Sequence, residues 1–309
     1  MRTSVKLTAY ALGLVVVFGA AAGAGRALGP EEKPAPAPAA HGDAHAPAPD
    51  ETAATAATAH VPGGLQVAQD GYRLTPVTTA LSTGDPQPFR FRVLGPDGKP
   101  VTAYTTNHDK DLHLIVVRRD LAGFQHVHPT LAADGTWSIP LAVDTPGQYR
   151  VFADFQPADR DEGLTLGVDV PAAGDYRPRP LPAPARTTEV DGYTVTLAGD
   201  LTAGASAQLT LTVSRDGKPV VPEPYLGASG HLVALRDGDL AYLHVHPTDE
   251  QSLSFAAEVP SAGVYRLYLD FKHDGTVRTA EFTATTSGIV VPAPPSAQPA
   301  HDADGHTHD

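Results

Sequence analysis

Cysteine is absent from this 309-residue chain, and Met1 is its one methionine. Disulfides, thiolate metal sites, cysteine nucleophiles and thioether sites for Cu(I) are excluded together. Any bound metal has to be held by imidazole, carboxylate, carbonyl or amine, a donor set that suits Zn(II), Cu(II) or Ni(II). Charge is scarce, at 18% of residues, and positive charge scarcer: 22 Lys and Arg stand against 35 Asp and Glu, for a net charge of −13. A nucleic-acid backbone calls for a basic patch, so no nucleic acid is expected as partner. An acidic chain attracts cations, although weakly. What is plentiful is glycine and proline, 29 and 30 residues, beside a hydrophobic fraction of 41%. That composition supports real cores and leans toward turn-rich β structure with flexible ends. The length has room for two ordinary domains plus tails.

The ends carry little packing potential. Arg2 and Lys6 precede Leu7 to Gly25, nineteen residues without a charge. This reads as an export signal whose positive flank keeps the amino end inside and the rest outside. Residues 1–29 are then an uncleaved anchor helix that tethers an extracytoplasmic protein to the cell membrane. The alternative is a signal peptide cleaved after Ala20-Ala21-Ala22 or Ala22-Gly23-Ala24, which would release the protein. Residues 30–62, rich in Pro, Ala and Thr, with His41, His45 and His60, read as a disordered tether. Residues 291–309 read as a disordered tail, whose His301, His306 and His308 form at most a loose metal tract.

Between the ends the sequence is duplicated. Asp70-Gly71-Tyr72 matches Asp191-Gly192-Tyr193, and Asp97 to Val101 matches Asp216 to Val220. Gly147 to Arg150 matches Gly263 to Arg266, and Asp154-Phe155 matches Asp270-Phe271. The offset drifts only from 121 to 116 residues, so two similar domains are expected, at 63–172 and 187–290. The linker, 173–186, is proline-rich and expected to be extended. In the first copy, strands are expected at Tyr72–Val77, Phe89–Leu94, Leu112–Arg118, Phe124–His128, Trp137–Leu141, Tyr149–Phe155 and Leu164–Val168, with Pro-Asp-Gly, Ala-Asp-Gly and Thr-Pro-Gly marking turns. About seven strands per hundred residues predicts an all-β fold of two tandem antiparallel sandwiches.

Each copy carries three histidines at matched positions: His113, His126 and His128, then His231, His244 and His246. Thirteen positions separate the first from the second in both. Strand alternation puts His126 and His128 on one face, with Ile115, Val117 and Phe124, and Leu114, Val116 and Val127 opposite. Asp237-Gly238 reads as a two-residue hairpin turn, which would set His231 directly across from His244. The same relation sets His113 across from His126 if Arg119-Asp120 is the turn centre. Each trio then converges as a candidate metal site. Asp154 and Asp270 are expected on the strand beside it, as ligands or as carboxylates that orient a ligating imidazole. A competing explanation is a structural His–Asp cluster copied by duplication. His108 and His273 have no counterpart in the other copy and read as surface residues.

Three resemblances bear on these expectations. Asp144-Thr-Pro-Gly147-Gln-Tyr149, repeated as Ser261-Ala-Gly263-Val-Tyr265, resembles the tyrosine corner of an immunoglobulin-like sandwich, with Val151 and Leu267 where an antibody domain has cysteine. The run Asn107 to Leu114, then Phe124 to Pro129 and Phe152 to Phe155, resembles a set of uncharacterised bacterial exported or membrane-anchored β-sandwich proteins associated with heavy-metal, especially copper, handling. That resemblance implies metal binding. Gly238, His244, His246 and Glu250 resemble the first cupin motif, but Ala257 stands where its last Gly belongs and the second motif is missing, so a cupin-like metalloenzyme ranks last. No Gly-x-Ser-x-Gly, His-Glu-x-x-His or phosphate loop is present.

The sequence therefore predicts non-catalytic binding of Cu(II) or Zn(II) outside the cytoplasm, with another extracytoplasmic or membrane protein as a possible partner. The alternative is an immunoglobulin-like interaction module with structural histidines.

Overall fold

A computed structural model describes residues 61–287, apart from His244. The expected anchor helix, the tether up to residue 60 and the tail lie outside these residues. Among the described residues no helix is long and apolar enough to cross a membrane, and every regular element is a strand.

Repeat 1 runs β1 (Ala68–Gln69), β2 (Tyr72–Pro76), β3 (Gln87–Leu94), β4 (Leu112–Arg118), β5 (Gln125–Val127), β6 (Thr130–Leu131), β7 (Thr136–Leu141), β8 (Gly147–Phe155) and β9 (Leu164–Ala172). Repeat 2 runs β10 (Thr187–Val190), β11 (Tyr193–Ala198), β12 (Ala205–Arg215), β13 (Lys218–Val220), β14 (Gly230–Arg236), β15 (Tyr242–Leu243), β16 (Val245–Asp249), β17 (Ser254–Val259), β18 (Val264–His273) and β19 (Thr276–Thr285). The expected strands of the first copy all form, with shifts of up to four residues at their ends. Several Asp-Gly pairs turn the chain as sequence chemistry demands. At Asp70-Gly71, Asp191-Gly192 and Asp216-Gly217 both residues adopt positive φ, the twist that matches flanking antiparallel strands.

Each repeat makes two antiparallel sheets. In repeat 1 the orders are β1-β2-β3-β7-β6 and β5-β4-β8-β9; in repeat 2 they are β10-β11-β12-β17-β16 and β15-β14-β18-β19, with β13 beside β12. This is the strand arrangement of an immunoglobulin-like sandwich. The tyrosine corner is present twice: Tyr149 donates to the Thr145 carbonyl and Tyr265 to the Ser261 carbonyl, both at 2.7 Å. Phe89, Phe91 and Val93 of β3 face Leu114, Val116 and Val151 across one core, while Leu209, Leu211 and Val213 of β12 face Ala234, Leu267 and Leu269 across another.

A third core joins the repeats. β4 and β14 are buried on both faces, which is why they read as nearly continuous apolar runs. Their second faces, with β8 and β18 beside them, cluster Ile115, Val117, Leu121 and Phe152 with Val233, Leu235, Leu240 and Tyr268. Phe124 stacks on Tyr268 with ring centres 3.9 Å apart, and Tyr268 donates to the Leu121 carbonyl at 2.7 Å. The two repeats consequently belong to one compact unit. The proline-rich linker forms no strand and takes part in this packing. Leu181 lies against the third core, and the Arg179 backbone N–H donates to Asp120.

Candidate metal site

The histidine-bearing hairpin differs from the expected one. In repeat 1, β4 and β5 pair Leu114 with Val127, Ile115 with His126 and Val116 with Gln125. In repeat 2, β14 and β15 pair Ala234 with Leu243 and Leu235 with Tyr242. Both registers are offset by two residues from the expectation, so His113 does not face His126 directly, nor does the repeat 2 register set His231 opposite position 244. The two-residue turns at Arg119-Asp120 and Asp237-Gly238 do not form. A longer loop replaces each, locked by an arginine: Arg118 makes a paired hydrogen bond to Asp120 and Arg236 to Asp239. Within these loops Leu121 and Leu240 take the left-handed conformation, with φ of 63° and 61°. That costs about 1–2 kcal/mol for a residue with a Cβ. Burying each leucine in the third core offsets it by about 1.5–3 kcal/mol.

An offset of two keeps parity. Side chains that share a face still share it after an even shift, so His126 remains on the face of His113. His113 Nδ1 lies 3.0 Å from His126 Nε2 and 3.1 Å from His128 Nε2. His113, His126 and His128 form a triad able to hold a metal ion, with one ligand atom from each ring within 4.8 Å of the others. Metal–nitrogen bonds of about 2.0–2.1 Å spanning such separations subtend angles of about 95° at the ion.

The outer nitrogens of two rings are already committed. His113 Nε2 donates to the Asn107 carbonyl at 3.1 Å. His126 Nδ1 donates to Asp270 Oδ2 at 2.8 Å. Those bonds fix the tautomers and leave His113 Nδ1 and His126 Nε2 with lone pairs aimed inward, the arrangement in which outer groups prepare imidazoles for a metal. Protonation at the centre is disfavoured. Burial, with the His126 charge second, pushes His113 down to about 4, against a rise from the Asn107 carbonyl. Burial, followed by His126 and His113, pushes His128 down to about 3.

Both aspartates sit on the expected strands. β8 pairs Asp154 with His113 and β18 pairs Asp270 with His231. Their roles are not one per copy, however. Asp270 serves the imidazole of the other repeat, because the two sheets meet face to face, and its second oxygen accepts from Thr279. Asp154 accepts from Thr165 at 3.1 Å. His231 stands outside the triad, with ring centres 6.4 Å from His113 and 6.1 Å from His126. Its Nε2 donates to the Tyr225 carbonyl at 2.9 Å, and its pKa is lowered, chiefly by burial. His244 lies outside the described residues. The backbone of His246 lies in β16 opposite Ala256, in the other sheet of repeat 2, not on the hairpin that was expected to carry it. The expected hairpin strand ends at Leu243 because the chain crosses between sheets there, as it does after Val127 in repeat 1, where Pro129 has no N–H to extend the ladder.

His108 lies on an exposed turn, in keeping with its reading as a surface residue, and its ring centre is 5.2 Å from that of His231. Its sequence signal was the Asn-His-Asp-Lys lead-in, which has no equivalent in the second copy. His273, also expected at the surface, lies 2.8 Å from the Tyr193 hydroxyl. A cavity of about 960 Å³ adjoins the cluster, lined by His108, His113, His126, Asp154, His231 and Tyr242 among others. Burial raises the Tyr242 phenol well above its ordinary value, and Asp154 and Asp270 add to this.

The sequence profile of DUF8832, a domain of unknown function, matches residues 66–172 and again 188–288. The chain belongs to the DUF8832 family. Among curated proteins none matches it. Similar solved structures include a chimeric titin Z1Z2 tandem (14% identity, covering 69% of this chain and 98% of that one, TM-score 0.18). A protein of Corynebacterium diphtheriae described as membrane anchored shares 14% identity over 73% of this chain and 60% of that one, with a TM-score of 0.22. A two-domain fibronectin type III segment of chicken tenascin shares 10% identity over 69% and 97%, with a TM-score of 0.21. This DUF8832 chain thus spans less than two thirds of the Corynebacterium protein's length. The fold of this DUF8832 member is given by its own strand order.

Proposed function

We propose that this DUF8832 protein binds a divalent transition metal, Cu(II) or Zn(II), non-catalytically and outside the cytoplasm, as a sensor, buffer or carrier. His113, His126 and His128 are the ligands, and Asp270 orients His126. One observation carries the reading. His113 Nδ1 has a single lone pair and two nitrogen neighbours, at 3.0 and 3.1 Å. One lone pair accepts one proton, whereas one metal ion accepts all three nitrogens. The missing thiols and thioethers favour Cu(II) or Zn(II) over a soft ion. The charge-free run Leu7 to Gly25 supports an export anchor. The copper association comes from the resemblance of the histidine segments. Another extracytoplasmic or membrane protein is the natural donor or acceptor of the ion.

A second reading has its own support. His126 and Asp270 are 2.8 Å apart, and their side chains are only 5% and 6% exposed. The His126–Asp270 contact would then make the cluster a structural bridge between the repeats, in a protein that serves as an interaction module. Equilibrium dialysis of the full chain and of its His113→Ala, His126→Ala, His128→Ala triple variant against Zn(II) and Cu(II) separates the two. The metal reading expects at least one tight equivalent present in the wild type and lost in the variant. Equal binding by both proteins leaves the structural reading standing.

A further inference from the structure

The geometry points to a second metal position beside the triad, between His108 of repeat 1 and His231 of repeat 2, so that one ion ties the two repeats together. It rests on the triad reading for its ion class.

Ring separations sort the histidines into two groups. An imidazole bound through nitrogen at about 2.0–2.1 Å places its ring centre about 3.2 Å from the ion, so two rings sharing an ion at near-tetrahedral angles have centres about 5 Å apart. The triad pairs lie at 5.3, 4.9 and 4.9 Å. His108 and His231 lie at 5.2 Å with rings inclined at 81°. The pairs between groups lie farther apart, with His108–His113 at 6.3 Å, His113–His231 at 6.4 Å and His126–His231 at 6.1 Å. The cluster therefore divides into a set of three and a set of two.

The set of two has an available donor. His231 Nε2 donates to the Tyr225 carbonyl, and a carbonyl only accepts, so His231 Nδ1 carries a lone pair. This repeats the preparation of His113 by Asn107. His108 is held by an unfavourable backbone. His108 and Asp109 are consecutive left-handed residues, with φ of 48° and 60°, a conformation disfavoured for residues with a Cβ. The Asn107–Lys110 turn around them closes with two backbone hydrogen bonds, of 2.9 and 3.0 Å. The matching turn of repeat 2, Tyr225 to Ala228, has the same left-handed pair at Leu226 and Gly227, with φ of 51° and 77°, so the shape of the turn is shared and the histidine is not. Duplication therefore does not account for His108, whereas an ion shared with His231 does. The cavity beside both rings has room for the ion and its remaining water ligands. With two protein nitrogens against three, this position binds more weakly than the triad, and Cu(II) fills it best.

The test is a Cu(II) titration of the full chain, with bound equivalents counted by dialysis and spin coupling between neighbouring ions read by electron paramagnetic resonance. His108→Gly is the informative variant, because glycine relieves the turn and the fold is retained. Wild type is expected to hold one equivalent more than His108→Gly and to show a half-field signal that the variant lacks. His126→Ala is expected to lose the triad equivalent and keep the weaker one. A His108→Gly protein that holds as many equivalents as wild type overturns the second position. If His126→Ala then still loses an equivalent, the triad reading survives alone. If a variant lacking all five histidines binds as much copper as wild type, both readings fall.

Discussion

Asp270 of repeat 2 accepts a hydrogen bond from His126 of repeat 1, although its own strand neighbour is His231. The carboxylate that orients one imidazole of the triad is therefore delivered by the other half of the duplication. An Asp270→Asn variant keeps the shape of the site but loses the charge behind His126. Metal affinity is expected to fall about 10–100-fold, the usual effect of removing such an outer partner, with the triad stoichiometry unchanged. Competition against a chromophoric chelator measures this, and unchanged affinity would sink the assigned role of Asp270.

Tyr268 links the repeats independently of any ion, through its buried hydrogen bond to the Leu121 carbonyl. Tyr268→Phe removes the hydroxyl and leaves that carbonyl without its donor. A loss of about 1–3 kcal/mol in stability is expected, read from urea denaturation of the metal-free protein.

The pH dependence of the metal-free protein has a definite sign. His113 and His128 are held down to about 4 and about 3, against 6.5 for a free imidazole. As pH falls below 6.5 the unfolded chain takes up protons that the folded chain refuses, so stability falls with it. The loss accumulates down to about pH 4 for His113 and about pH 3 for His128, and then levels. Urea unfolding midpoints between pH 7 and pH 4 are expected to fall less steeply in His113→Ala and His128→Ala than in wild type. Parallel slopes in all three would contradict the burial of these imidazoles.

Metal should also stabilise the fold by mass action. Zn(II) at a hundred times its dissociation constant adds about 2.7 kcal/mol, expected as a rise in melting temperature that a chelator reverses. His126→Ala should show no such rise from the triad.

Much of this fold is legible in the local sequence. The strands and the split of β4 into two apolar faces follow from side-chain alternation and turn residues, local properties of the chain, and the duplicated tyrosine corners from their resemblance to those of an immunoglobulin-like sandwich. The shared face of the histidines follows too, because it depends only on parity. The register of the hairpin does not. Asp237-Gly238 has the residues of a tight turn, but Arg236 and Asp239 pair with each other and Leu240 is drawn into the third core. A tertiary contact outweighs the local turn preference there.

The sequence by itself determined that any metal site here must be built from imidazole, carboxylate, carbonyl or amine donors and that the fold is all β, and it offered His113 to His128 and His231 to His246 as equal candidates. Only the tertiary structure decided which residues meet. It brought Asp270 to His126 and His108 to His231, and it left His231 out of the triad. The physical reason is the third core. Two sheets with apolar outer faces bury them against each other, and residues more than a hundred positions apart become neighbours for which no periodicity within one repeat gives a signal.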